Sequence, residues 1–191
     1  MKELSLNILD IAENSVKAGA GLIEIIIDES DRELTITIRD NGCGMSRETA
    51  RAAQNPFYTT RTTRRVGMGI PLFKMEAEQT GGSFELTSRS RQEFPENPGT
   101  TVKASFYKDH LDFTPLGDVT ATLITLIQGH PEIDFRFEHR LSGGSAVLDT
   151  RQLRQVLGEE VSLGSFEVLG WIRDYLQEQY SEIKTGKEEP K

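Results

Sequence analysis

Four polar side chains recur at helical spacing near the start of the chain: Asn7, Asp10, Asn14 and Lys17. Their spacing of three, four and three residues places them on one face of a helix. They offer oxygen ligands for Mg²⁺, a carboxylate able to orient water and a cation for phosphate, which a metal-bound polyphosphate requires. A solvated helix face can have the same composition, so this pattern alone leaves both interpretations open.

A second candidate site is the stretch RDNGCGM, residues 39–45, at the end of a predicted strand. Asp40 shares the parity of the apolar residues of ELTITIRD, so its carboxylate is expected on the core side, beneath a helix layer. A carboxylate in that position needs hydrogen-bond donors, and the amino group of adenine is one such donor. Gly42 and Gly44 would let the backbone approach a flat ring, although DNG by itself also fits an ordinary turn.

The third candidate is the loop NPFYTTRTTRRVGMGI, residues 55–70. The stretch from Ser46 to Val66 holds five arginines and a single acid, whereas the whole chain carries a net charge of -8. Gly67 and Gly69 lead into a helix, whose free N–H groups and dipole favour a bound anion. A solvated basic loop followed by a glycine turn remains the alternative.

A fourth signal is Thr100, which opens a predicted strand with its hydroxyl on the helix side. Threonine in this position is also a common strand former. In chain order, the motifs LDIAENSVKAGA, DNGCGM, PFYTTRTTRRVGMGI, TGG and PGTTVKASF resemble the Bergerat-type ATP-binding domain of the GHKL superfamily. This superfamily includes gyrase B subunits, MutL ATPases and sensor histidine kinases. The resemblance spans roughly residues 1–108 and implies ATP and Mg²⁺ as cofactors.

The resemblance also implies roles for individual residues. Asn14 would be the Mg²⁺ ligand, and Lys17 matches a histidine-kinase lysine that approaches phosphate. Asp10 occupies the position of the catalytic general base, where hydrolysing members carry glutamate. Because aspartate is one methylene shorter, a small displacement could cost much of the hydrolysis rate.

The adenine side of the implied pocket comprises Asp40, as the acid that recognises adenine, and Thr100 beside it. Residues 54–69 would form the ATP lid, in which Arg61 takes the position of a basic residue found in histidine kinases. The other implied nucleotide contacts are Gly42, Gly44, Met45, Tyr58, Gly67, Met68 and Gly69.

The elements that would position these residues alternate between helices and hairpins, which predicts an α/β (α+β) two-layer sandwich. Its sheet is expected to be mostly antiparallel or mixed and covered on one face by helices. We expect an ATP-binding domain at 1–108, a linker at 109–118, a small α/β C-terminal region at 119–184 and a disordered tail at 185–191. The last helix carries Trp171 and Tyr175, which fit a partner platform, a dimer surface or additional core.

Composition excludes several classes of protein. The excess of acidic residues argues against a general nucleic-acid or anionic-membrane binder, and the single cysteine, Cys43, cannot form an intramolecular disulfide. The sequence shows no transmembrane-length apolar run and no signal peptide, so a cytoplasmic location is expected.

Two functions are compatible with these observations. The first is an enzyme, either an ATPase or a kinase that phosphorylates a protein partner in trans. The second is a regulatory module that binds ATP without hydrolysis, its lid switching partner binding. A redox or signalling protein is the expected partner, and a homodimer is a further candidate. The sequence begins at the first motif, so a complete sensor histidine kinase is not expected.

Overall fold

A computed structural model describes residues 3–55, 68–158 and 160–185 of the chain. In these ranges the helices and strands follow one another in the order α1 (Leu4–Lys17), β1 (Leu22–Glu29), β2 (Glu33–Asp40), α2 (Arg47–Ala52), α3 (Gly69–Gln79), β3 (Phe84–Arg89), β4 (Gly99–Tyr107), α4 (Val119–Gly129), β5 (Asp134–Leu141), β6 (Gly144–Asp149), α5 (Thr150–Leu157) and α6 (Phe166–Thr185).

The described strands form one sheet in the order β3-β4-β2-β1-β5-β6. β1 and β5 are parallel, and the other neighbours are antiparallel. Alternate residues of the central strands are buried on one face, against which α1, α3, α4 and α6 pack. The predicted α/β sandwich, with a mixed sheet covered on one face by helices, is confirmed.

Local sequence signals explain several helix ends. Gly19 follows α1 with a φ of 71°, and Gly81 follows α3 with a φ of 78°, the left-handed conformation that ends many helices. The Ser46 side chain accepts a hydrogen bond from the Thr49 amide at the start of α2. Asp118 does the same for the Ala121 amide at the start of α4.

The C-terminal region continues the first half of the fold, because β5 pairs with β1 and one hydrophobic core includes side chains of both α1 and α6. The segment between β4 and α4 is attached to α1: the amides of Leu4 and Ser5 donate to the carbonyls of Pro115 and Leu116 at 2.9 and 2.8 Å. One continuous sheet therefore includes strands from both sides of residues 109–118. The division of the chain into domains at these residues stays a prediction.

One side chain and one helix boundary differ from the sequence-based expectation. Asn7 is fully buried, and its amide nitrogen donates a hydrogen bond to Glu76 of α3. It therefore does not share the exposed face of Asp10 and Asn14. α6 extends to Thr185, the first residue of the predicted tail, and residues 186–191 lie outside the described part.

In the described ranges, no helix is both long enough and apolar enough to cross a membrane.

A partly buried polar network joins the two halves of the sheet. His139 of β5 has its Nε2 atom 3.0 Å from Glu29 and its Nδ1 atom 2.9 Å from the Tyr180 hydroxyl of α6. Burial by itself would raise the pKa of Glu29. The Lys108 ammonium, 2.7 Å from the Glu29 carboxylate, and His139 outweigh this effect, so the pKa of Glu29 lies below its ordinary value. Burial lowers the pKa of His139, although Glu29 opposes the shift. At pH 7 these shifts favour a neutral imidazole at His139 beside an ionised carboxylate at Glu29.

This network predicts that acidification destabilises the fold. Histidine in the unfolded chain takes up a proton near pH 6.5, whereas His139 in the fold resists protonation, so stability falls as pH drops below about 6.5. We expect His139→Gln to lower the free energy of unfolding at pH 7 and to flatten its fall between pH 7 and pH 5. Urea denaturation at several pH values measures both effects, with His110→Gln at an exposed histidine as the control. An unchanged pH dependence in His139→Gln would contradict the assignment.

Candidate functional site

Asp40 ends β2 with its carboxylate held by three donors. The Ser15 hydroxyl of α1 donates to Oδ2 at 2.7 Å, and the amides of Gly42 and Thr100 donate to Oδ1 at 2.9 and 3.3 Å. The carboxylate therefore lies on the helix side of the sheet, as its strand parity predicts. An ionised carboxylate has about four acceptor positions, so these bonds fix its orientation and leave capacity for one more donor.

Gly42 occupies a position where a side chain does not fit. A Cβ atom at Gly42 would lie 2.9 Å from Ala18 Cβ, and the neighbouring Cys43 amide donates to the Ala18 carbonyl at 2.8 Å. The loop after Asp40 is thus packed against the end of α1. This contact brings the adenine-side motif next to the helix that carries Asp10 and Asn14.

Gly44 is required by the backbone around it. Its φ is +63°, and a Cβ atom there would lie 1.9 Å from the carbonyl oxygen of Arg89. The sequence predicts that Gly44 lets the backbone approach a flat ring. In the structure, Gly44 lets the backbone approach the end of β3. A contact between Gly44 and a nucleotide stays a prediction.

Ser88 of β3, to which no sequence motif points, connects the other residues predicted to lie near adenine. Its hydroxyl accepts a hydrogen bond from the Met45 amide at 2.8 Å, donates to the Gly99 carbonyl at 3.2 Å and lies 2.9 Å from the Thr100 hydroxyl. Met45 and Thr100 are therefore brought together near Asp40. A cavity of about 570 Å³ adjoins these strand ends and is lined in part by Asp40, Ser88 and Thr100.

The α1 side of the site consists of Asp10, Asn14 and Lys17, all of which are exposed. A Cβ atom at Gly69, the first residue of α3, would lie 3.0 Å from Asp10 Cβ. Glycine at this position lets the first turn of α3 approach Asp10. The structure thus brings the predicted base and the helix start predicted to bind phosphate into contact.

The electrostatic environment of Asp10 suits a proton acceptor. Although Asp10 is exposed as a residue, neighbouring groups remove part of the water around its carboxylate, and this desolvation raises its pKa. Lys17 opposes the shift, and Glu13 adds to it. A carboxylate whose pKa is above its ordinary value is a stronger base near neutral pH. The side chain of Asp10 thus has a proton affinity and a position that are compatible with activating water.

The donor set around α1 is compatible with Mg²⁺ only in combination with a ligand. In the described ranges, no group of three or more His, Cys, Asp or Glu side chains could hold a metal ion. Magnesium commonly uses one or two protein ligands and takes the rest from phosphates and water. The exposed carboxamide of Asn14 fits that pattern, since it would supply a single oxygen.

Part of the predicted site lies outside the described residues. Tyr58, Arg61 and Gly67 belong to residues 56–67, so their predicted contacts and most of the lid at 54–69 stay predictions. Met68 is described: it is exposed, and its carbonyl accepts a hydrogen bond from the Leu72 amide at 2.8 Å in the first turn of α3.

Comparison with protein families identifies the class to which this fold and site belong. The profile of the family described as "Histidine kinase-, DNA gyrase B-, and HSP90-like ATPase" matches residues 2–110, more than half of the chain. The chain belongs to this family. The match includes every residue predicted above to bind the nucleotide.

Individual relatives come from two branches of that family. The chain is 28% identical to the DNA mismatch repair protein MutL of Syntrophotalea carbinolica over 167 residues, which cover 68% of this chain and 26% of MutL. It is 34% identical to the C4-dicarboxylate transport sensor protein DctB of Pseudomonas aeruginosa over 71 residues, 37% of this chain and 12% of DctB. The chain thus spans about a quarter or less of the length of these relatives.

Solved structures with the same fold include the Aquifex aeolicus MutL ATPase domain complexed with ADP, with a TM-score of 0.54 and 18% identity. The superposition covers 82% of this chain and 69% of that domain. The N-terminal domain of a DNA repair protein superposes with a TM-score of 0.55 and 21% identity over 83% of this chain and 58% of that one. In both cases the shared fold extends beyond the ATPase-profile match into the C-terminal region.

The Ser15–Asp40 hydrogen bond predicts a measurable effect on ATP affinity. Ser15→Ala removes the donor to Asp40 Oδ2 and lets the carboxylate rotate, at a cost of about 1 kcal/mol, so we expect ATP to bind roughly fivefold more weakly. Isothermal titration calorimetry measures the dissociation constant. Ser105→Ala, which removes an exposed hydroxyl hydrogen-bonded to Ser83, is the matched control. Equal affinities for the two variants would argue against an orienting role for Ser15.

Proposed function

We propose that this chain binds Mg-ATP between α1, α3 and the ends of β2 and β4, and that it acts on or regulates a partner protein. The observation that carries this proposal is the carboxylate of Asp40, held by Ser15, Gly42 and Thr100 with capacity for another donor. The adenine amino group is a donor of the required kind. Membership of the ATPase family supports the same ligand.

The triphosphate end of the ligand would lie along α1 and the start of α3. The first N–H groups of α3 would attract the phosphates, and Lys17 supplies positive charge. Asn14 would hold Mg²⁺, which when bound neutralises phosphate charge and polarises the phosphorus–oxygen bonds. Asp10 would orient and deprotonate the attacking group. The MutL ATPase domain with the same fold is complexed with ADP in its solved structure, which is compatible with a nucleotide ligand for this chain.

The proposed reaction is transfer of the γ-phosphoryl group to water or to a partner protein. Phosphoryl transfer depends chiefly on alignment and on charge stabilisation, so Asp10, Asn14 and Lys17 could support either outcome. In the protein-kinase outcome, the partner supplies a hydroxyl or imidazole as acceptor. The short side chain of Asp10 favours a second candidate function, in which ATP is bound without turnover and the bound state is recognised by the partner.

Substitution of Asp10 separates turnover from binding. We expect Asp10→Asn to reduce phosphate release or phosphoryl transfer by about a hundredfold or more, because the amide cannot accept a proton. ATP affinity should change by less than about threefold, since adenine and phosphate contacts remain. The measurement is incubation with Mg²⁺ and γ-labelled ATP, alone and with protein captured on the ATP-loaded chain. Glu85→Gln, at an exposed carboxylate of β3 away from α1, is the control.

The two candidate functions give different results in that experiment. If the parent chain forms labelled phosphate or labelled protein and Asp10→Asn does not, the chain is an enzyme. Tight ATP binding with neither product, in the parent chain and with captured partners, identifies the regulatory module. Absence of ATP binding would contradict both.

A further inference from the structure

The outer edge of β6 closes the C-terminal end of the sheet, and no strand in the described ranges pairs with it. Val147 is central in this edge, and both its backbone amide and its carbonyl point away from β5. Each is satisfied by one side chain: the amide donates to Gln179 Oε1 at 2.9 Å, and the carbonyl accepts from Gln179 Nε2 at 3.1 Å. Gln179 therefore makes the two hydrogen bonds that a residue of an adjacent antiparallel strand would make.

The composition of β6 distinguishes it from the edge strand at the other end of the sheet. β3 carries the exposed charges of Glu85 and Arg89, and charges on an edge strand discourage pairing with another chain. β6 has the sequence GSAVLD, whose single charge, Asp149, is its last residue and is paired with Arg151. Apart from the Gln179 amide, β6 thus lacks a chemical barrier to pairing.

An aromatic surface adjoins this edge on the helix side. Trp171, Tyr175 and Gln179 are spaced by four residues on α6, so they lie on one face of that helix, and Gln179 reaches the β6 edge. The two rings stack with centroids 4.7 Å apart and are 48% and 37% exposed. Exposed stacked aromatic rings beside an unpaired strand edge are typical of an interface, since burying them is favourable.

We propose that the β6 edge and the Trp171–Tyr175 surface form a homodimer interface, in which the β6 strands of two copies pair antiparallel. A two-fold axis through Val147 places this residue opposite its own copy, and the two residues exchange N–H and C=O hydrogen bonds. Ser145 of each copy then lies opposite Asp149 of the other. The bonds at Val147 replace those made by Gln179, which moves aside, so the polar groups at the edge remain satisfied.

A second copy fits this edge because its pattern is self-complementary. Val147 is 37% exposed on the open face of the sheet, so the two-fold axis brings two apolar side chains into contact there. On the other face, the two α6 helices lie on the same side of the joined sheet, where Trp171 and Tyr175 can be buried. The β1 and β5 strands separate this edge from β2 and β4, so both nucleotide sites would stay accessible in the dimer.

Opposite charges at the two-fold axis test the proposal with the full-length chain. Val147→Lys and Val147→Glu each place like charges directly opposite one another, so each should raise the dimer dissociation constant at least about tenfold. An equimolar mixture of the two variants should restore the dimer as a heterodimer. Thr37→Lys, on the open face of the interior strand β2, is the matched control and should dimerise like the parent chain. Gln179→Ala removes the competing amide and should tighten the dimer.

Sedimentation equilibrium over a range of protein concentrations gives the dissociation constants, and circular dichroism verifies that each variant folds. Dimerisation of the parent chain that is lost in both single variants and restored in the mixture supports the interface. The proposal is overturned if the parent chain and Gln179→Ala are monomeric at all concentrations. It is equally overturned if the folded Val147 variants dimerise as tightly as the parent chain, or if mixing them restores nothing.

Discussion

The arrangement of the site depends on the hydrogen bonds that hold the Asp40 carboxylate. They come from α1 through Ser15, from the following loop through Gly42, and from β4 through Thr100, so one side chain connects three parts of the fold. A half-buried carboxylate without donors would be costly, and here each bond also fixes a neighbouring element. Asp40 therefore helps to hold together the pocket that it is proposed to serve.

The C-terminal region supports the same arrangement from the opposite side. α4 packs against α1, and the side chain of His130, just after α4, lies 2.9 Å from that of Glu13, next to Asn14. β5 extends the sheet beside β1, and its residue His139 is bonded to Glu29 and Tyr180. α1, which carries the proposed base and metal ligand, is thus held by both halves of the chain.

Sequence patterns predicted the helices, the strands and the side of the sheet on which Asp40 lies, because each depends on local periodicity and glycine placement. The parallel pairing of β5 with β1 was not predicted, since a contact between distant strands leaves no local pattern. Ser15 and Ser88 were missed for a related reason: a serine in an apolar stripe or in a strand gains its role only from what it faces. Burial of Asn7 was missed because its partner, Glu76, is on another helix.

The central claim is that Asp40 recognises the adenine of bound ATP. The most direct test is calorimetric titration of the parent chain and of Asp40→Asn with ATP and with GTP in the presence of Mg²⁺. The proposed site predicts that the parent chain binds ATP in preference to GTP, and that Asp40→Asn loses at least about tenfold in ATP affinity while remaining folded. Equal ATP affinity in the parent chain and the folded variant would contradict the account.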